Sequence, residues 1–365
     1  MKRISLIGST GSIGRQVIDV ALRHPDEYEI VALVAGSDEE LFESQVSLIK
    51  PKLCALASKD KERALKAADF ADADIIFNAA SGFAGLQYSL QAVKAGKVLA
   101  LANKETLVCG GELIMPLAEK SGSIILPVDS EHSAIWQCLG FDTKKPVRRL
   151  IITASGGAFG NTPYEKLKTV TAKEALSHPT WKMGKKITVD SATLMNKGYE
   201  VIEAHHLYGT PYCDIEAVIQ PQSIVHSLVE FSDGSLIAQM SYPTMEVPVQ
   251  LALSYPERLD LAVEPMDFKR AFSLEFKPLV RENYPCFDFA LKCGEAGGVL
   301  PCAMNAADEE AVKAFLDGKI AFTDIYTVVE RVVDCVKNES VQSFEQLLSV
   351  DSSARLAARE IIKTL

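Results

Sequence analysis

The glycine-rich segment Gly8-Ser9-Thr10-Gly11-Ser12-Ile13-Gly14 constrains the fold of this chain most strongly. It follows a short apolar run at residues 3–7 and leads into residues 13–22, which have the pattern of a helix. Glycines at such a turn let the backbone approach a pyrophosphate, and the helix N-terminus favours the anion. The spacing is G-x-x-G-x-x-G rather than the standard G-x-G-x-x-G, so a tight turn without a ligand is the alternative interpretation.

Apolar runs and helical patterns alternate over the first 128 residues. The continuous apolar run at residues 28–35 is typical of a strand that is buried on both faces of a parallel sheet. We predict strands at 3–7, 28–35, 53–57, 75–78, 98–102 and 124–128, and helices at 13–22, 61–68, 85–95 and 113–120. This order predicts an α/β fold that opens with a Rossmann-like, doubly wound parallel sheet.

The pattern changes after about residue 145. We predict strands at 150–153, 187–189, 217–219, 224–231 and 236–241, and a helix at 191–208 with Ser191 as its N-cap. Ser232-Asp233-Gly234 indicates a hairpin turn. From about residue 288 the chain reads as helical, with an apolar stripe in the helix around residues 325–336. Three domains are predicted: a Rossmann-like domain at 1–122, an α+β catalytic domain with an open sheet at 123–275, and a helical bundle at 276–365.

Composition excludes several classes of protein. The net charge is −10 and there is no dense run of lysine and arginine, so we expect no nucleic acid partner. We expect no membrane association, because polar residues interrupt the longest uncharged stretch, residues 75–93. We expect no signal peptide, because only a short apolar run follows Lys2-Arg3 before Gly8. The eight cysteines form no C-x-x-C pair, so we expect neither a zinc ribbon nor a thioredoxin motif. In a chain of this length an even count is weak evidence for disulfides, and we predict buried, reduced thiols in the cytoplasm.

Two groups of polar residues follow or interrupt these elements in a way that suggests chemistry. Asp129 and Glu131 come directly after a predicted strand, where two carboxylates can converge on one hard cation; a solvated acidic turn is the alternative. Asn196, Lys197 and Glu200 share one helix face through their i+3 and i+4 spacing. That face is either the wall of a polar substrate site or a surface with one salt bridge.

Three further segments have the composition of binding loops. Residues 177–184 contain His178 and Trp181 in a segment that is broken by Pro179 and Gly184, which suits a lid that excludes water or a loop held by a buried tryptophan. Residues 153–157 offer a hydroxyl group and backbone amides to an anion. The second strand ends at Gly36-Ser37-Asp38-Glu39-Glu40, where an acidic residue favours the ribose hydroxyl of NAD over the phosphate of NADP.

Together these segments resemble the 1-deoxy-D-xylulose 5-phosphate reductoisomerase family. The motifs that carry the resemblance occur in the family's order at residues 8–14, 101–105, 127–132, 154–157, 177–184, 190–200 and 221–223 with His226. The resemblance implies rearrangement of 1-deoxy-D-xylulose 5-phosphate and its reduction with NADPH to 2-C-methyl-D-erythritol 4-phosphate, for isoprenoid synthesis. It also implies a divalent cation (Mg2+, Mn2+ or Co2+), a phosphorylated ketose substrate and a homodimer.

The resemblance further implies a role for individual residues. Metal ligands would be Asp129, Glu131 and Glu200. The substrate would contact Lys104, Ser130, Ser155, His178, Trp181, Ser191, Asn196, Lys197 and Glu200, and the catalytic residues among these and the ligands would be Lys104, Glu131, Glu200 and His178. The cofactor would contact Thr10, Gly11, Ser12, Ile13, Gly36, Ser37, Asp38, Asn103, Glu105 and Gly184. The family usually has Lys-Asn where this chain has Ser37-Asp38, at the expected 2′-phosphate position.

Two other functions are compatible with a glycine-rich nucleotide turn. A different Rossmann oxidoreductase, such as a semialdehyde or homoserine dehydrogenase, would not need its acidic residues to meet at one ion. A nucleotide-sensing module would bind cofactor without turnover, and its Asn196, Lys197 and Glu200 face would point to solvent.

Overall fold

The computed structural model describes residues 1–160, 162–260 and 263–365, which form two compact units. The first unit comprises residues 1–106, 114–133 and 244–264; the second comprises 107–113, 134–243 and 265–365. The division into three domains at 1–122, 123–275 and 276–365 stays a prediction. In the described part of the chain, no helix combines the length and the apolar character that a membrane crossing requires.

The first part of the chain alternates strands and helices as the sequence predicts. In chain order the elements are β1 Lys2–Ile7, α1 Ser12–Arg23, β2 Tyr28–Ala35, α2 Glu39–Ile49, β3 Leu53–Leu56, α3 Lys61–Leu65, β4 Ile75–Asn78, α4 Gly85–Lys94, β5 Val98–Leu101, α5 Glu105–Ser121, β6 Ile125–Pro127 and α6 Ser130–Cys138. All six predicted strands of this region are confirmed to within one or two residues at each end.

The sheet of the first unit has the strand order β3-β2-β1-β4-β5-β6, and its strand pairs are parallel. Ile4 and Leu6 of β1 are completely buried, as expected for a central strand covered on both faces. The direction of strand order reverses between β1 and β4. At such a switch point the loops at the carboxyl ends of the strands diverge and leave a crevice in which doubly wound proteins bind nucleotides.

Two helices of the first part differ from the prediction. Residues 39–49 form α2, which the sequence pattern did not reveal. α5 begins at Glu105, well before the predicted residue 113. Its interior contains Gly110-Gly111, which disfavours a helix by propensity. The packing overrides that propensity, because a Cβ on Gly111 would lie 2.2 Å from the ring of His206.

The second part of the chain combines a mixed sheet with a group of helices. Its elements are β7 Arg149–Ala154, α7 Ala172–Ala175, α8 Lys185–Thr193, α9 Met195–Tyr208, β8 Ile215–Ile219, β9 Val225–Glu230, β10 Leu236–Met240, α10 Glu246–Ser254, β11 Lys277–Pro278, α11 Pro285–Ala296, α12 Leu300–Leu316, α13 Asp324–Asp334 and α14 Phe344–Ile362. The strand order is β10-β9-β7-β8-β11, and only the described pair β7–β8 is parallel. The predicted hairpin between β9 and β10 and the apolar stripe of α13 are confirmed.

The predictions for residues 187–208 are wrong in two respects. Residues 187–189 form no strand but lie inside α8, and Ser191 is an interior residue of that helix rather than an N-cap. The β-branched run Ile187-Thr188-Val189 favours a strand locally, but packing decides otherwise, and Val189 is completely buried. The chain turns at Leu194, which has a left-handed backbone (φ 55°), and α9 begins at the next residue.

Candidate functional site

The glycine-rich turn of the first unit lies at the switch point of the sheet. Gly8 has φ +86°, and a Cβ on it would lie 2.4 Å from the carbonyl oxygen of Ala79, the residue after β4. Only glycine allows this close approach of the two loops. The N-cap of α1 is Gly11, which is exposed together with Ser12, while Thr10 and Ile13 are half-buried. The N-terminus of α1 is therefore accessible to an anion.

The end of β2 borders the same edge of the sheet. A Cβ on Gly36 would meet no atom of the described residues within 4 Å, so the backbone there is open. Ser37 is exposed, and the carboxylate of Asp38 caps α2 by accepting the backbone N–H of Leu41 at 3.3 Å. Glu39 forms an ion pair with Lys59, which follows β3. The Lys59 ammonium thus lies beside the acidic segment that is predicted from the sequence to contact the ribose.

Asn103, a predicted cofactor contact, is 2% exposed and bonded on both sides of its carboxamide. Its nitrogen donates to the carbonyl oxygens of Ala80 (2.9 Å) and Gly82 (3.0 Å), and its oxygen accepts the hydroxyl of Thr106 (2.6 Å). Glu105 accepts both the Asn103 amide and the N–H of Gly82. The side chains of these two residues therefore hold the segment after β4 at the edge of the sheet that carries Gly8 and Gly36, which we call the nucleotide edge.

The acidic segment after β6 is a largely buried, charge-paired group. The Asp129 carboxylate lies 2.8 Å from the ammonium of Lys104, and the two side chains are 17% and 11% exposed. Although burial opposes ionisation, the charge of Lys104 and the hydrogen bond and charge of His132 hold the pKa of Asp129 well below its usual range. Ser130 donates its hydroxyl to Glu131. The alternative of a solvated acidic turn is therefore not what the structure shows.

The polar face of α9 in the second unit is also buried. Glu200 is 1% exposed; it accepts a hydrogen bond from the amide of Asn196 at 2.5 Å and forms an ion pair with Lys197, itself 4% exposed. The prediction that these three side chains share one face is confirmed. A simple surface helix, and the solvent-facing arrangement expected of a sensing module, are both excluded by this burial.

The geometry of Ser155 and His178 defines the state of both side chains. His178 Nδ1 accepts the backbone N–H groups of Thr180 (3.2 Å) and Trp181 (2.9 Å), so the neutral ring carries its proton on Nε2. Nε2 donates to the Ser155 hydroxyl oxygen at 2.9 Å, and burial lowers the pKa of His178. The same oxygen accepts the N–H of Gly157. The hydroxyl hydrogen of Ser155 is then the group that can be donated to an anion.

The segment 177–184 is irregular, as predicted for a lid or loop, and it contacts the second sheet. Trp181 is half-buried with its ring 6.1 Å from that of His226 in β9, in an edge-on arrangement. The hydroxyl of Thr180 lies 3.1 Å from that of Ser223. The segment ends at Gly184, which is the exposed N-cap of α8.

Ser191 is held by a contact that the sequence did not reveal. Gly157 has φ +64°, and a Cβ on it would lie 2.4 Å from the carbonyl oxygen of Ser191. The loop that carries Ser155 is therefore packed directly on the turn of α8 that carries Ser191.

No role was predicted from the sequence for three further residues, namely His132, Lys186 and Asp308. For Lys186, the i,i+4 spacing to Asp190 was a signal that could have revealed their ion pair.

The two units can now be placed in a class. The first has a doubly wound sheet with an open helix N-terminus at its switch point and, after its last strand, a largely buried carboxylate paired with a lysine. The second has hydroxyl, amide and cationic groups that are buried or half-buried on two successive helices. These are the features of a dinucleotide-dependent oxidoreductase that acts on an anionic substrate.

Comparisons with known proteins identify the family. The family model for 1-deoxy-D-xylulose 5-phosphate reductoisomerase matches residues 4–69 and 59–111, its C-terminal domain matches 125–208, and the DXP reductoisomerase C-terminal domain matches 240–357. The chain belongs to the 1-deoxy-D-xylulose 5-phosphate reductoisomerase family. Proteins of that name from Crocosphaera subtropica and Microcystis aeruginosa are 47% and 44% identical, with 98% and 97% of this chain and 96% and 97% of those proteins covered.

Solved structures of the family have the same fold. The reductoisomerase from Zymomonas mobilis in complex with NADPH is 37% identical, with a TM-score of 0.91 and complete coverage of both chains. A second reductoisomerase structure, in complex with NADPH, fosmidomycin and magnesium, is 34% identical with a TM-score of 0.92; the match covers all of this chain and 98% of that one. The α/β fold class predicted from the sequence is thereby confirmed.

Proposed function

We propose that this chain converts 1-deoxy-D-xylulose 5-phosphate into 2-C-methyl-D-erythritol 4-phosphate, using NADPH and a divalent cation, as an enzyme of isoprenoid precursor synthesis. Family membership over nearly the whole chain supports the reaction. The observation that carries the chemistry is the buried Asp129 carboxylate, kept ionised beside Lys104 at the end of β6. The related structures bound to NADPH and magnesium support both cofactors.

The donor groups fit a hard divalent cation. Asp129 and Glu131 offer carboxylate oxygens, which are the ligands that Mg2+ and Mn2+ prefer, and Asp129 is held in the deprotonated form that a ligand needs. We infer that Glu200 of α9 supplies the third carboxylate. A cation held there would polarise the oxygens of the hydroxyketone while its carbon skeleton rearranges.

The remaining polar residues bind and orient the substrate. Lys104 and Ser130 contact its oxygens near the carboxylates, while the hydroxyls of Ser155 and Ser191 and the amide of Asn196 hold its phosphate, with Lys197 adding positive charge. Neutral His178 aims the Ser155 hydroxyl by donating to its oxygen. Trp181, on the irregular segment after His178, excludes water from the reacting groups.

The cofactor site is proposed at the nucleotide edge of the first unit. The pyrophosphate lies at the N-terminus of α1, against Thr10, Gly11, Ser12 and Ile13, and the ribose lies near Gly36, Ser37 and Asp38. Asn103 and Glu105 support that edge through the segment after β4, and Gly184 is the remaining residue proposed to contact the cofactor. NADPH supplies the hydride that reduces the rearranged aldehyde.

A spectrophotometric assay tests this function directly. We expect NADPH oxidation that depends on 1-deoxy-D-xylulose 5-phosphate, stops in excess EDTA and returns when Mg2+ or Mn2+ is added. NADH in place of NADPH tests the choice of cofactor in the same experiment. A full rate in excess EDTA would refute the role of the cation, and no turnover under any of these conditions would refute the reaction.

Asp38 is expected to weaken the binding of NADPH but not that of NADH, whose ribose hydroxyl an acidic residue accepts. Its carboxylate caps α2 near the proposed ribose position, so it repels a 2′-phosphate but not a hydroxyl. In Asp38→Asn the cap is retained, because asparagine caps as well as aspartate does, while the charge is lost. The dissociation constant of NADPH, measured by fluorescence titration, should fall about 5-fold, since removing a partly screened charge is worth roughly 1 kcal/mol. An equal change for NADH would contradict this assignment.

We also propose a homodimer formed through the second sheet. β10 is an edge strand, and its Leu236 and Ile237 are 53% and 47% exposed, which is unusual for an edge that stays unpaired. Sedimentation velocity should show a dimer, and Ile237→Asp should shift it to a monomer. A monomeric parent chain would refute the proposal.

The cytoplasm is the proposed location. All eight cysteines lie in described parts of the chain and are free thiols, as expected in a reducing compartment. The absence of a nucleic acid partner stays a prediction from the charge.

A further inference from the structure

A buried charge cluster in the second unit joins three helices. We define the Lys186 cluster as Lys186 and Asp190 of α8, Tyr199 of α9 and Asp308 of α12. The Lys186 ammonium lies 2.6 Å from the Asp190 carboxylate and 2.8 Å from that of Asp308. It also lies 5.0 Å from the centre of the Tyr199 ring, and the Tyr199 hydroxyl donates to Asp308 at 3.3 Å.

The cluster places two almost completely buried acids on one ammonium, whose side chain is 31% exposed. The side chains of Asp190 and Asp308 are 3% and 0% exposed. Buried carboxylates need a cation or several hydrogen bonds to remain ionised, so their shared cation ties α8 to α12. The Tyr199 hydroxyl donates to Asp308, which ties α9 to the same point.

Two members of the cluster directly precede residues of the proposed substrate site. Asp190 is followed by Ser191, and Tyr199 is followed by Glu200. Successive residues of a helix point about 100° apart, so anchoring one side chain inward sets the direction of the next. Only the left-handed residue Leu194 separates α8 from α9. An anchor on both sides of that turn fixes how the two helices are rotated relative to each other.

We propose that Lys186 is a positioning residue for the reaction: by binding Asp190 and Asp308 together, it fixes the α8–α9 turn and so the orientation of Ser191 and Glu200. This inference rests on the proposed function for its consequence in catalysis. Lys186 does not itself touch the substrate in this scheme. Its loss should therefore change substrate binding through the geometry of other residues.

The test compares Lys186→Met with a control of similar structural cost. Lys186→Met leaves two carboxylates facing each other, and we expect KM for 1-deoxy-D-xylulose 5-phosphate to rise at least 10-fold. In the double variant Lys186→Met/Asp308→Asn, KM should return part of the way to the parent value, because one of the two facing carboxylates is removed. The control is Arg355→Met, which removes three ion pairs, with Glu309 and Glu310 of α12 and with Asp351 of α14. It should lower the melting temperature and leave KM within 2-fold.

A second variant and a second measurement keep the test decisive. Asp308→Ala unties α8 from α12 but keeps the Lys186–Asp190 pair, so it should fold and still raise KM about 5-fold. Hydrogen exchange of residues 185–200 should become faster in both cluster variants and not in Arg355→Met. Because exchange needs no substrate, it tests the cluster even if the parent chain fails to turn over this ketose phosphate. Parent-like KM and exchange in both cluster variants would overturn the proposal.

Discussion

Replacing Glu200 by glutamine is expected to abolish turnover while leaving the chain folded. Glu200 is 1% exposed, next to Asn196 and Lys197, and glutamine occupies nearly the same volume. The substitution removes one of the three carboxylates proposed to hold the cation. Losing about 4 kcal/mol of transition-state stabilisation would lower kcat roughly 1000-fold, since each 1.36 kcal/mol is a factor of ten.

The affinity for the cation separates a ligand from a merely structural residue. We expect the dissociation constant for Mn2+, measured by calorimetry on the parent chain and on Glu200→Gln, to rise at least 10-fold. Glu360→Gln is the control for the same chemical change at the surface, because Glu360 forms an exposed ion pair with Lys363 on α14. It should leave both kcat and Mn2+ affinity within 2-fold. Unchanged Mn2+ affinity in Glu200→Gln would remove Glu200 from the ligand set.

The sheet of the first unit could be predicted from the sequence because each of its strands is locally distinctive. Residues 28–35 are almost uniformly apolar, and the structure buries them on both faces. The carboxyl end of such a strand is where ligands gather, so the positions of Gly8 and Asp129 followed from the strand assignments. The charged partner of Asp129 did not follow, because Lys104 belongs to another strand end.

The α8 region shows where local signals fail. Residues 187–189 are β-branched and predict a strand, but the segment contributes a buried face and charged anchors that only a helix can present. The contact of Lys186 with Asp308 joins residues far apart in the chain. Such contacts depend on the completed fold, and no periodicity or spacing in the sequence indicates them. A cation site of Asp129, Glu131 and Glu200 would likewise join residues far apart in the chain, and it stays a prediction.

Gly157→Ala is expected to cause the second large decrease in kcat/KM, although Gly157 has no side chain that could bind the substrate. A Cβ there would lie 2.4 Å from the carbonyl oxygen of Ser191 and 2.7 Å from Cα of Ala192. Both atoms belong to the backbone of α8, so neither can move without displacing the helix. The Ser155 loop and Ser191 would then separate. A displacement of about 1 Å in a substrate-positioning group lowers kcat/KM on the order of 100-fold.

The same loop offers a matched control in Gly160→Ala. Gly160 also has a positive φ (+51°), so alanine suffers similar backbone strain at both positions, but at Gly160 its Cβ would meet no described atom within 4 Å. Steady-state kinetics and thermal unfolding of the two variants therefore separate strain from collision. We expect both to lose some stability and only Gly157→Ala to lose kcat/KM, mainly through KM. Equal losses of kcat/KM in the two variants would show that strain in the loop, rather than contact with Ser191, controls the site.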